Sequence, residues 1–266
     1  MSYKEILFRV ENRVAYITLN RPEVLNAFGH TMAAEVLNAL DHVQQDPGVG
    51  CLVLGGAGRA FCGGGDVKEF RAQAARGTAA AHIHGLASIM HRAVSAVVRM
   101  PKPAIAAVHG FAAGGGVGFA LCCDLVIAAE GTRFDMAYSR IGASPDGAST
   151  YFLPRAVGVK RALELAFFGG ALEAQEALQR GLINKVVPAS ELEAAARDWA
   201  ERLARGPARS LATAKFLMHR GTDEGLEAQM EAEANGIADC AATADFLEGV
   251  TAFVEKRAPV FGRPAA

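Results

Sequence analysis

Two glycine-rich loops constrain this chain more than any other feature. Residues 105–124 run as an apolar strand, a cluster at Gly114, Gly115 and Gly116, an apolar helix, and an aspartate leading into a further apolar run from Leu125. A backbone that turns sharply and approaches a neighbour or ligand closely needs residues without a Cβ, and three stand together where a helix should begin. The first N–H groups of such a helix lack partners within it and favour negative charge. A second small-residue loop, residues 55–66, follows the short apolar strand at residues 51–54, and Asp66 is placed to cap the next helix. The order strand, glycine loop, helix therefore occurs twice. It predicts an α/β fold with a mostly parallel sheet and ligands at the carboxyl ends of the strands. Taken alone, the glycines fit tight packing as well as they fit ligand binding.

The flanking segments agree with that class. Residues 6–10 and 14–19 alternate apolar and polar side chains around Glu11-Asn12-Arg13, the pattern of an antiparallel hairpin. Residues 31–45 carry Ala33, Val36, Leu37, Leu40 and Val43 at helical spacing. Residues 71–80 read as a mobile loop or loose helix, and residues 83–99 as a longer amphipathic helix stopped by Pro101 and Pro103. Beyond Pro154 helices dominate, with spans expected at 159–168, 172–179, 190–204, 208–220, 225–239 and 243–256. Gly206-Pro207 marks the expected boundary between a core at residues 1–205 and a helical region at 206–266. Amphipathic helices without a sheet of their own either cover the core or bury their apolar faces against another subunit.

Several function classes are disfavoured. The 27 basic and 28 acidic residues give a net charge of −1 and are spread without blocks, which speaks against nucleic acid or an anionic membrane as partner. Five cysteines, with Cys122 and Cys123 adjacent, do not make a disulfide framework, so a reduced, cytoplasmic setting is expected. Neither a leader pattern nor an apolar run of membrane-spanning length is present, so no membrane association is expected. Neither glycine cluster matches the dinucleotide fingerprint, and phosphate-loop and nucleophile-elbow motifs are absent. His82, His84 and His91 lack a convincing metal-ligand spacing, so no metal is expected.

What remains is two glycine-lined N–H sites and an aspartate, Asp146, between a proline and a glycine. Two N–H groups converging on one oxygen form an oxyanion hole, each donor worth roughly 2.7–4 kcal/mol as negative charge develops. The segments Ala60-Phe-Cys-Gly-Gly-Gly-Asp-Val-Lys68, His109-Gly-Phe-Ala-Ala-Gly-Gly-Gly116 and Cys123-Asp124 resemble the motifs of the crotonase superfamily, the enoyl-CoA hydratase/isomerase family. The resemblance extends from Asn20-Arg-Pro through Leu163, Ala177, Gly181-Leu-Ile and Val186-Val187 to Phe253-Val-Glu-Lys-Arg257.

It implies a spiral core of repeated ββα units and a helical C-terminal region that builds a homo-trimer or a dimer of trimers. It implies an acyl-CoA thioester as substrate, with no metal or redox cofactor. By position, the N–H groups of Gly65 and Gly115 would bind the thioester oxygen. Ala60, Cys62, Gly63, Asp66, Val67 and Lys68 would line the CoA path, and Lys256 matches a lysine that in relatives reaches a neighbouring subunit's CoA.

The departures from the resemblance carry most information. A hydratase of the family has two glutamates, and their positions hold Gly118 and Tyr138 here. Ordinary hydration is therefore not the expected reaction. Asp146 resembles instead the single carboxylate of the family's enoyl-CoA isomerases, which shift a double bond with one acid/base group. Aspartate is by nature a weak base, so an apolar wall is expected around it, with Phe119, Ile141, Phe152 and Leu153 as candidates. Tyr138 is expected either to pack or to orient the substrate or Asp146. Hydration or other acyl-CoA chemistry in the same fold, or a non-catalytic CoA-binding role, are the alternatives.

Overall fold

The computed structural model describes residues 2–262. In chain order, the strands are β1 (Ile6–Glu11), β2 (Val14–Leu19), β3 (Cys51–Gly56), β4 (Ala104–Val108), β5 (Phe111–Ala113), β6 (Leu125–Ala129), β7 (Arg133–Asp135), β8 (Ala171–Glu173) and β9 (Lys185–Val187). The helices before residue 160 are α1 (His30–Gln45), α2 (Val67–Ala75), α3 (Ala79–Arg99), α4 (Gly115–Leu121), α5 (Ser149–Val157) and α6 (Val159–Phe168). Then come α7 (Ala174–Gln179), α8 (Leu192–Ala204), α9 (Ala208–Arg220), α10 (Leu226–Ala241) and α11 (Ala244–Val254).

The strands form two sheets. Six lie in the order β1-β2-β3-β4-β6-β9, where only the β1–β2 hairpin is antiparallel. Three form the smaller sheet β5-β7-β8, with β5 parallel to β7 and β8 antiparallel to it. Isolated parallel bridges, Phe28 to Gly65 and Cys62 to Ala112, lead from the earlier segments toward the smaller sheet. The chain thus goes repeatedly from a long strand to a short extended segment and then to a helix, which is the ββα spiral. This layering puts the glycine loops side by side.

Residue alternation divides the large sheet between two cores. Leu52 and Leu54 of β3 face the main core, where α1 contributes Met32, Ala33, Val36, Ala39, Leu40 and Val43 at helical spacing. Cys51 and Val53 face the other way, onto α8 through Leu192, Ala196, Ala200 and Ala204. Small residues on α8 let it sit close: a Cβ on Gly50 would lie 2.8 Å from the Ala204 carbonyl oxygen. Burying the side chains on both faces of these strands supplies most of the stabilisation, at roughly 25 cal/mol per Å² of apolar surface.

Some expectations need correction. Of the two readings for residues 71–80, helix holds over most of the span: α2 runs to Ala75 and α3 starts at Ala79, so only residues 76–78 separate two helices. The start of the expected 172–179 helix is instead strand β8, since pairing with β7 outweighs local helix preference. Residues 149–157 form α5 although Pro154 lies inside it. The short strands of the smaller sheet, three residues each, are below the length at which alternation can be read.

After α8 the chain passes Gly206-Pro207 into α9, α10 and α11, whose side chains are nearly all half-buried or exposed. One buried charge ties α9 to the core. Lys215 Nζ sits 2.9 Å from Asp124 Oδ2 and donates to the carbonyls of Val97 and Lys102 at 2.7 and 3.1 Å. Asp124 in turn accepts the Ala104 N–H at 2.8 Å, so the aspartate that follows α4 is a structural joint. Large apolar side chains stay exposed on this region, among them Phe216, Met218, Ile237 and Phe253, and on α6 Phe167 and Phe168. All five cysteines are free thiols. No helix among the described residues is long and apolar enough to cross a membrane.

Candidate active site

The first wall of the site is the loop between β3 and α2. Asn26, fully buried and held with φ 56°, donates to the carbonyls of Ala57 and Ala60 at 2.8 Å each and to that of Phe61 at 3.3 Å. Its own Oδ1 accepts the Arg21 N–H at 2.8 Å. One buried amide thus satisfies a loop that cannot pair in a sheet. Backbone bonds from Gly63 N–H to the Leu25 carbonyl (2.7 Å) and from Phe28 N–H to the Gly64 carbonyl (2.7 Å) draw the loop inward. At Gly65 the Phe70 ring packs directly over the Cα, so a Cβ there would push the ring aside.

The second wall is the β5–α4 turn. Ala113 N–H donates to the Cys62 carbonyl and Gly114 N–H to that of Asp135, both at 2.9 Å, so β5 lies between the first loop and β7. Gly114 takes φ 51°, a conformation open to glycine, and α4 begins at Gly115. The two loops come very close: a Cβ on Gly64 would be 3.6 Å from the Gly115 nitrogen. Among the described residues, no protein acceptor takes the N–H of Gly65 or of Gly115. Two neighbouring free amides are what an oxyanion requires.

The third wall delivers the carboxylate. Chain leaving β7 enters a short 3-10 helix at Ala137–Ile141, which buries Tyr138. It then turns at Pro145-Asp146 through two left-handed residues, Gly147 and Ala148, each with φ 60°, into α5. Left-handed backbone at an alanine costs about 1–2 kcal/mol, strain of the kind kept where a site needs it. The turn is held from its carbonyl side: the Ser149 hydroxyl donates to the Asp146 carbonyl at 2.7 Å and Ser149 N–H at 3.1 Å. Tyr138 donates its hydroxyl to Asp146 Oδ1 at 2.7 Å, with the Asp146 carbonyl at 3.2 Å. Burial, and then the Asp146 charge, push the Tyr138 phenol well above the usual tyrosine range, so it stays a donor. Asp146 Oδ1 would be 3.4 Å from a Cβ at Gly115, which sets the carboxylate beside the second amide.

Gly118, where the resemblance expects the first of two glutamates, has no room for a side chain. A Cβ at that position would stand 2.0 Å from the Gly147 carbonyl oxygen and 3.0 Å from the Ser149 nitrogen. The space where α4 could carry a side chain is filled by the turn that carries Asp146. The two arrangements exclude each other sterically.

The structure brings Gly65, Gly115, Tyr138 and Asp146 together. Of the remaining expected residues, Ala60 and Cys62 are buried in the first loop, and Gly63 lies between them and Gly65. The Cys62 thiol, pushed up to about 12 by burial, is bonded to the Asn26 carbonyl and is no nucleophile. Asp66 spends both oxygens on the protein, accepting Glu69 N–H at 3.3 Å and pairing with Arg21 at 3.0 Å. Its side chain supports the loop rather than facing a ligand. Val67, Lys68 and Lys256 are exposed. The expected apolar wall is only partly there: Leu153 is buried and Phe152 half-buried, but Ile141 is 51% exposed. Phe119 points into the core against Phe28 and Phe61, because its position on α4 faces the sheet.

Two contacts have no signature in the sequence. Asn26 bears no motif of its own, and its role arises from three carbonyls more than 30 positions away. His91, on an exposed helix surface, accepts the Gly147 N–H through Nε2 at 3.3 Å. That contact spans 56 positions and has no local signature.

A family model described as enoyl-CoA hydratase/isomerase matches residues 9–264. A protein of Rhodobacter capsulatus named probable enoyl-CoA hydratase is 40% identical over 98% of this chain and 99% of its own length. The 1,2-epoxyphenylacetyl-CoA isomerase of Escherichia coli is 38% identical over 96% of this chain and 97% of its own. Among solved structures, an enoyl-CoA hydratase from Polaromonas sp. JS666 superposes with a TM-score of 0.92 at 32% identity, covering 97% of this chain and 99% of that one.

Proposed function

The chain belongs to the enoyl-CoA hydratase/isomerase family, and from that premise we propose that it shifts a double bond in an enoyl-CoA, from the 3- to the 2-position or in a ring-derived analogue. The observation that carries this reading is a single carboxylate, Asp146, beside two free amides, with the hydratase position Gly118 closed by backbone. In the proposed reaction the thioester oxygen binds the N–H groups of Gly65 and Gly115. The Asp146 carboxylate removes a proton from C2, and the electron pair moves into a dienolate whose negative charge rests on that oxygen. The resulting carboxylic acid returns the proton to C4, leaving the 2-enoyl thioester and the original carboxylate. The proton is borrowed and returned, so the reaction as written uses no metal or redox group.

Hydration is the rival, and the names of several relatives favour it. A hydratase must also hold a water and move two protons, and the polar side chains beside Asp146 are the Tyr138 hydroxyl, kept protonated, and the Ser149 hydroxyl, donated to the Asp146 carbonyl. Supplying purified protein with 3-hexenoyl-CoA and with crotonyl-CoA separates the two. Isomerisation of the first with slow hydration of the second is expected; brisk hydration of crotonyl-CoA would overturn the assignment.

Tyr138 acts here by orienting Asp146. Tyr138→Phe should lower kcat roughly tenfold, since a hydrogen bond to a charged group is worth about 1.5–3 kcal/mol, with KM nearly unchanged. A larger effect on KM than on kcat would instead assign Tyr138 to substrate contact.

The exposed apolar faces of α6 and α9–α11 support assembly into a trimer or a dimer of trimers. Light scattering should then give three or six times the mass of one chain. A monomeric mass at micromolar concentration would rule the assembly out.

A further inference from the structure

We propose that His91 is a positioning residue for the carboxylate, holding the Asp146 turn in place through the Gly147 amide. The proposal rests on the assignment of Asp146 as the acid/base group. On the carbonyl side of the peptide between Asp146 and Gly147, Tyr138 and Ser149 both donate to the Asp146 carbonyl, and the Tyr138 hydroxyl also reaches the carboxylate itself. The Gly147 N–H faces the opposite way, and its acceptor is His91 Nε2 on α3, at 3.3 Å. Gly147 is itself buried, so without His91 its amide would be left unsatisfied.

The turn needs this second restraint. Gly147 and Ala148 lie consecutively in the left-handed region, where neither a helix nor a strand ladder fixes the backbone. The Gly147 carbonyl must also stay within the space left by Gly118, and its Cα side packs on Gly115, where an added Cβ would meet backbone at 3.2 Å. Rotation of the peptide between Asp146 and Gly147 would swing the carboxylate away from Gly115. Clamped from both sides, that peptide cannot turn.

An imidazole nitrogen accepts a hydrogen bond only when it carries no proton, so the contact assigns the proton of neutral His91 to Nδ1. The side chain is exposed and packs little, which allows its function to be separated from folding.

The test compares His91→Gln and His91→Met in the full chain. Both reach about as far as Nε2, but only glutamine presents a good acceptor there. Hydrogen exchange at the Gly147 amide should quicken in His91→Met and stay near wild type in His91→Gln. The kcat for 3-hexenoyl-CoA should fall about tenfold or more in His91→Met, as small displacements of a reacting group do, with KM within about twofold, and His91→Gln should restore most of the rate. Equal exchange and equal kcat in the two variants would overturn the proposal. Should His91→Met fail to fold, His91→Ala serves as the variant without an acceptor. If Asp146→Asn leaves the rate unchanged while the exchange contrast persists, the Asp146 assignment fails and the clamp stands as structure only.

Discussion

Asp146→Asn should lower kcat for 3-enoyl-CoA isomerisation by about 10²- to 10⁴-fold, the contribution of a positioned general acid/base. Asparagine keeps the shape of the side chain, and its carbonyl can still accept the Tyr138 hydroxyl that now lies 2.7 Å from Oδ1. Folding and CoA binding should therefore survive, with KM changing little. The loss falls on both halves of the reaction, because one group removes the C2 proton and returns it at C4. Following solvent deuterium into C4 of the product makes the experiment more specific, since transfer by one carboxylate can retain part of the original proton. A rate within threefold of wild type would eliminate Asp146 as the shuttle and reopen the reading of a non-catalytic CoA-binding protein.

Gly118→Glu, the substitution that nominally restores a hydratase glutamate, should damage the protein instead of converting it. Its Cβ would fall 2.0 Å from the Gly147 carbonyl oxygen, a backbone atom that cannot swing aside as a side-chain tip could. Overpacking a filled site costs about 1–3 kcal/mol, and backbone contact argues for the upper end. For a chain of this size about 3 kcal/mol corresponds to a fall in Tm of roughly 6–12 °C. If the fold yields locally, the turn moves and carries Asp146 with it, so isomerase activity should drop without crotonyl-CoA hydration appearing. Calorimetry together with the two assays decides this. Unchanged Tm with new hydratase activity would mean that the turn is not tied to its place.

The strand–glycine–helix repeats were legible because they are local. Three glycines at a helix start, a capping aspartate at Asp66, and the helical spacing of α1 and α8 are properties of neighbouring residues. The short strands of the smaller sheet were not legible, since three residues owe their extended shape to partners such as Ala112 facing Phe134. The candidate wall around Asp146 failed at Phe119 and Ile141 for a related reason. Nearness in the chain to a site residue says nothing about which side of a helix or turn a side chain leaves.

The sequence by itself determined the class of fold, the two glycine loops, and that positions 118 and 138 hold glycine and tyrosine, because identity at a position is independent of geometry. Tertiary structure alone decided that position 118 has no room for a side chain. The Asp146 turn and a side chain on α4 compete for one volume, and only three-dimensional packing makes residues 118 and 147 neighbours. It likewise decided that Asp146 is held by Tyr138 on one side while its neighbour Gly147 is held by His91 on the other. A hydrogen bond across 56 positions forms only after the spiral has closed and brought α3 against the turn.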